Sequence, residues 1–132
     1  MTGLRHSGAS EVRTKVLEQT KSADLKVYVV WVPSLPADNE SKVPAATVKI
    51  PDERASHYWD EKGALKIAYQ RALKMNELAW DVYYVYRRGT EWTGDLPPVP
   101  DYYMHQLRSL PAERMLDGDK LAKEINKLLE QK

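Results

Sequence analysis

The chain has 132 residues, 42% of them hydrophobic and 30% charged, which suits one soluble globular core and excludes the disordered and fibrous classes. It contains no cysteine, so disulfides, thiolate metal sites, iron–sulfur ligation and cysteine nucleophiles are excluded together. Twenty Lys and Arg against nineteen Asp and Glu leave a formal charge of +1, and no global field draws nucleic acid or an acidic membrane surface.

The opening MTGLRHSGASEVRTKVLEQTKSAD lacks the uninterrupted apolar run of a signal peptide. No stretch approaches the ~18 apolar residues of a membrane span, so a cytoplasmic location is expected. Residues 1–9 read as a flexible terminus and residues 10–132 as a single domain. Ser10 is placed to cap a helix whose narrow apolar stripe is Val12, Val16 and Leu17. Leu25 to Val32, LKVYVVWV, is apolar on both alternating faces, which predicts a central strand buried on both sides. Pro33 and Pro36 stop it, and Asp38 can cap a brief helical segment that Pro44 limits. Ala55 to Trp59 reads as a second strand, followed by Asp60 as the cap of the next helix.

From Glu61 to Met75 the apolar set Leu65, Ala68, Tyr69, Ala72 and Leu73 has helical spacing, and Asn76 is suited to a left-handed cap at the end. Trp80 to Tyr86 predicts a third strand. Arg87-Arg88-Gly89 then reads as a hairpin turn returning through Thr90-Glu91-Trp92. Gly94 to Pro100, GDLPPVP, favours extended polyproline geometry and reads as a loop or lid. Tyr102 to Leu107 fits either a short strand or a helical turn. Asp119 to Leu129 is an amphipathic helix with Asp117 or Asp119 as its cap, and no internal repeat occurs.

Strands separated by helices imply parallel crossovers, and the late hairpin adds an antiparallel edge. The expected class is therefore α/β, a mixed central sheet of about four to five strands with helices on both faces. Two segments, VYVVWVPSLPAD and AWDVYYVYRRGTEW followed by LDGDKLAKEINKLL, resemble the thioredoxin-like superfamily over roughly residues 10 to 130. The pieces VWVP, HYWD, AWDVYYVY and MHQL are also similar to a group of uncharacterised bacterial thioredoxin-like proteins. In that alignment the redox CxxC positions fall on Leu35, Pro36, Ala37 and Asp38, and the segment NELAWD stands where the superfamily places a cis-proline. The resemblance thus implies the fold without thiol–disulfide exchange, which needs both an attacking and a resolving thiol.

Candidate site residues follow from these placements. Trp31, Pro33, Leu35, Pro36 and Asp38 would surround the old active-site turn at the strand's C-terminal end, where open α/β sheets bind ligands. Trp80 and Asp81 would adjoin the position where a thioredoxin contacts its substrate, and Tyr102, Tyr103 and His105 would close over the same groove. Each also has a structural reading: a core indole for Trp31, a plain helix cap for Asp38, a strand-start hydrogen bond for Asp81 and edge packing for His105. Asp38, His57, Asp81 and His105 are the residues suited to acid–base chemistry. His6, His57 and His105 are scattered without a ligand spacing, and there is no GxGxxG, P-loop or GxSxG, so neither a metal nor a cofactor is expected.

Three functions remain: a non-catalytic domain binding a protein segment or small ligand, a small-molecule enzyme using Asp and His, and a structural subunit of a homo-oligomer. The first is preferred for its aromatic and proline-rich rim, with no nucleic acid as partner and no membrane span.

Overall fold

The computed structural model describes residues 6–32, 50–78, 81–107 and 110–131, with the backbone alone at 6 and 7. The chain divides into two compact units, Met1–Gly63 and Ala64–Lys132.

The N-terminal unit opens with helix α1 (His6–Glu11), which continues into a π-helical segment, Val12–Leu17. Ser10 lies inside this helix and does not cap it: its carbonyl accepts the Thr14 hydroxyl at 2.9 Å. That side-chain bond competes for the carbonyl an α-helical Thr14 N–H would use. The wider winding persists to the segment's end, where the Glu18 N–H reaches back five residues to Arg13 O at 2.9 Å. Strand β1 (Val27–Trp31) then pairs in parallel with β2 (Ala55–Trp59), register Val27 to Ala55 through Trp31 to Trp59. Val27, Val29 and Trp31, with Ala55 and Trp59 opposite, pack on Ala9, Val12, Leu17, Leu25 and Ile50.

The other face of this pair is partly exposed, with Val30 half-buried. Tyr28 is 70% and Tyr58 51% exposed, their rings stacked at 6.5 Å. Burial of β1 on both sides is thus corrected to burial on one. Tyrosine scores as apolar in an alternation pattern, yet its hydroxyl stays hydrated while its ring packs on a neighbour.

The C-terminal unit begins with α2 (Ala64–Leu73), its buried stripe centred on Tyr69. The helix starts after Gly63, which takes a φ of 66°, and not at Glu61. It ends on Lys74 at φ 54°, where the Met75 N–H bonds Gln70 O at 3.0 Å and the Lys74 N–H bonds Arg71 O at 3.3 Å. The left-handed cap expected at Asn76 is therefore supplied two residues earlier, by a lysine. Strand β3 (Val82–Val85) pairs antiparallel with β4 (Tyr102–His105), register Val82 to His105 and Val85 to Tyr102. Val82, Tyr84, Tyr86 and Tyr103 pack with Leu65, Tyr69, Leu73 and Met75. After a single 3-10 turn, Ala112–Arg114, helix α3 (Gly118–Leu129) packs beside β4 with Leu121 and Ile125 buried. Asp117 caps it, accepting the Asp119 and Lys120 N–H groups at 3.0 and 3.2 Å.

The expected mixed central sheet of about four to five strands with helices on both faces is not what the described residues build. Among the described residues there are two separate two-stranded sheets, one parallel and one antiparallel, with three α-helices. The expected return at Thr90-Glu91-Trp92 makes no ladder: Thr90 closes a turn on Arg87 O through its N–H and its hydroxyl, and the Trp92 side chain donates to Gly94 O at 2.6 Å. The chain instead runs on to Asp101, whose N–H bonds Val85 O at 2.9 Å, and β4 takes the place beside β3. No described helix is long and apolar enough to cross a membrane.

Candidate functional site

The sequence-derived candidates are divided between the units. Trp31 and His57 belong to the N-terminal one, and Asp81, Tyr102, Tyr103 and His105 to the C-terminal one. Pro33, Leu35, Pro36, Asp38 and Trp80 lie outside the described residues.

Trp31 and His57 meet. Their positions on the parallel pair are diagonal neighbours on the packed face, and Trp31 Nε1 donates to His57 Nδ1 at 3.0 Å with the ring planes parallel to within 5°. An accepting Nδ1 makes Nε2 the protonated nitrogen, and Nε2 faces Ile50 O at 3.3 Å. Trp31 itself is buried, so the pair joins β1, β2 and the Ile50 segment from within the core.

A second polar cluster in the same unit has no counterpart among the sequence candidates. Arg54 uses all five of its N–H donors. Nε and one Nη2 hydrogen grip the two Asp52 oxygens at 2.9 and 2.7 Å. The remaining donors bond Leu17 O at 2.8 Å, Ser22 O at 3.0 Å and Thr20 O. These are the carbonyls at and just beyond the end of the π-helical segment, which lack partners within it. Asp52 also accepts the Arg54 N–H at 2.9 Å, shaping the turn into β2. The Arg54 hydrogen bonds hold its carboxyl down at about 2.

In the C-terminal unit His105 is wholly buried, accepts the Leu107 N–H at Nδ1 (3.0 Å) and faces Pro111 O through Nε2 at 2.7 Å. Its own carbonyl accepts the Leu116 N–H at 2.7 Å, so it joins β4 to the segment leading into α3. Asp81 is buried, takes the Tyr83 hydroxyl on Oδ1 at 2.7 Å and carries the ladder one step further through its carbonyl to the Gln106 N–H. Arg114 lies over the Tyr103 ring at 4.3 Å and bonds the Tyr103 carbonyl at 3.1 Å.

The remaining cluster is built from tyrosines and a proline strap. Tyr69 and Tyr84 stack at 3.8 Å, and burial pushes both hydroxyls up, as it does that of Tyr86. Tyr86 OH donates to Pro98 O at 2.7 Å, so the Tyr69 hydroxyl, 2.6 Å from Tyr86, donates to it in turn. Trp92 sets its edge on Tyr69 with centroids 6.4 Å apart. Asp101 clamps the base of the connection, accepting the Arg87 N–H at 2.8 Å. Along the strap Pro97 and Pro100 are buried, whereas Leu96 is 45% and Val99 71% exposed. Trp92 is 46% exposed. Sequence inspection identifies this strap as a loop or lid, but not the tyrosines beneath it, because nothing local ties Tyr69 to Tyr86.

Among the described residues no three His, Asp or Glu side chains converge as a metal site. Comparison of the chain with protein-family models, with curated proteins and with solved structures finds no match.

Proposed function

We propose that the chain is a non-catalytic binding domain that recognises a segment of a partner protein along the outer edge of the proline strap. The observation that supports this reading is the exposure of Trp92, Leu96 and Val99 on a connection whose inner side is tied down by Tyr86 and Asp101. An apolar edge fixed in advance loses little conformational entropy on association, and aromatic and aliphatic anchors of this kind carry most of the energy of protein interfaces. The two histidines among the acid–base candidates support the same reading. His57 and His105 have both ring nitrogens engaged by groups of the fold, whereas a general base needs a lone pair directed at its substrate.

The test is a random-peptide display selection against the whole chain, followed by affinity measurement of the enriched peptides on variants. Trp92→Ala and Val99→Asp are expected to weaken them at least tenfold, and Tyr28→Ala, in the other unit, to leave them unchanged. Failure to enrich any peptide, or peptides indifferent to Trp92 and Val99, overturns the reading.

A further inference from the structure

The inner side of the strap points to a different ligand. A polyproline II helix has three residues per turn and no internal hydrogen bonds, so residues three apart share an edge and its carbonyls seek outside donors. Leu96 to Pro100 follows that period: Leu96 and Val99 are exposed, Pro97 and Pro100 are buried, and Pro98 between them is half-buried. Its carbonyl takes an outside donor, the Tyr86 hydroxyl at 2.7 Å. Pro97 and Pro100 have the spacing that aromatic-lined grooves accept in proline-rich ligands, an aromatic hydroxyl or N–H bonding the ligand's backbone between them. Tyr86, which meets the strap at Pro98, belongs to a cluster of that composition: its hydroxyl lies 2.6 Å from that of Tyr69, and Tyr69 stacks on Tyr84 at 3.8 Å.

We infer that the tyrosine face of α2 and β3 is a recognition groove for polyproline II segments, occupied in this chain by its own Leu96–Pro100, whose ligand from outside is a proline-rich segment of another protein. The tethered strap competes at an effective concentration on the order of millimolar, so the resident segment masks the groove from dilute peptide. Loosening the strap without touching the tyrosines therefore unmasks it.

The experiment uses the full chain carrying Pro97→Ala and Pro100→Ala, with a capped octapeptide of the sequence Gly94–Asp101 as probe and titration calorimetry and amide chemical shifts as readouts. The variant is expected to bind the octapeptide at least tenfold more tightly than the wild-type chain, with shifts centred on Tyr69, Tyr84 and Tyr86. Adding Tyr86→Phe is expected to weaken that binding severalfold, and an octapeptide with its three prolines replaced by alanine is expected not to bind. A cooperatively folded variant that binds no more tightly than the wild type overturns the inference, as do shifts remote from these tyrosines or equal binding of the alanine peptide. If the double variant does not fold, Asp101→Ala, which releases only the clamp on Arg87, is judged by the same criteria. Leu96 and Val99 need contact nothing for this result, so it stands or falls separately from recognition by the outer edge.

Discussion

Replacing Arg54 by methionine is expected to destabilise the N-terminal unit by about 3–5 kcal/mol, the range for removing one partner of a mostly buried, hydrogen-bonded ion pair. The magnitude rests on what the guanidinium serves. Its side chain is 13% exposed and that of Asp52 22%, and its donors reach one carboxylate and three main-chain carbonyls. Methionine keeps the apolar stem but leaves Leu17 O, Thr20 O, Ser22 O and the Asp52 carboxylate without that donor, each charge-assisted bond being worth about 1.5–3 kcal/mol and the set less than additive. Arg54→Lys retains the charge, yet one ammonium cannot span a carboxylate and carbonyls on opposite sides, and about 2 kcal/mol of the loss should remain. The pH dependence has a definite sign. Asp52 titrates at about 2 when folded against an ordinary 3.8, so its contribution is full above pH 3.8 and disappears as pH falls to 2. Allowing for its partial exposure to solvent, that contribution is about 1–2 kcal/mol. Urea titrations at neutral pH and between pH 4 and 2 measure both effects, and amide exchange over 9–31 assigns them to this unit. Arg54→Met within about 0.5 kcal/mol of wild type, or an Asp52→Asn variant with an unchanged acid limb, would refute the reasoning.

Lys74→Gly should stabilise the chain by about 0.5–1 kcal/mol in thermal or urea unfolding, because an exposed lysine holds the left-handed cap at φ 54° where glycine meets no Cβ penalty. His105→Ala should cost about 3–5 kcal/mol by urea titration, since it empties a fully buried site and strips the Leu107 N–H and Pro111 O of their partner. A loss below about 1 kcal/mol would mean that the site closes over the gap. Asp117→Ala should cost about 1 kcal/mol, the usual value for one helix cap, with faster amide exchange confined to Asp119 and Lys120.

Local periodicity and cap chemistry are what the amino-acid sequence makes legible. The apolar stripe through Tyr69 locates α2, and Asp117 followed by Leu121 and Ile125 locates α3. Gly89 supplies the positive φ, 83°, that the Arg87 to Thr90 turn asks for. Pairing is less legible because it depends on which distant segment offers a free ladder. Beside a correctly placed turn, the strand-like stretch from Thr90 to Trp92 forms no strand, and the place beside Val82 to Val85 is taken by Tyr102 to His105, more than ten residues further on. Tyr102 to His105 carried a usable signal, since an aromatic run matching Val82 to Val85 sets Tyr103 opposite Tyr84.

The polar clusters show the same division more sharply. His57 and His105 draw the eye as titratable residues, yet their partners are a tryptophan N–H, a main-chain N–H and carbonyl oxygens, groups that every sequence contains and no motif marks. Arg54 is the converse case: an arginine two residues after an aspartate looks like surface charge, and its other targets are carbonyls more than thirty residues earlier. Tyr86 reaches Pro98 across a turn whose length the sequence leaves open. In each case the side chain's role is set by a backbone group delivered from elsewhere. His57, His105 and Arg54 are for that reason bound into the frame, while the strap, which carries no titratable group between Leu96 and Pro100, leaves Leu96 and Val99 exposed.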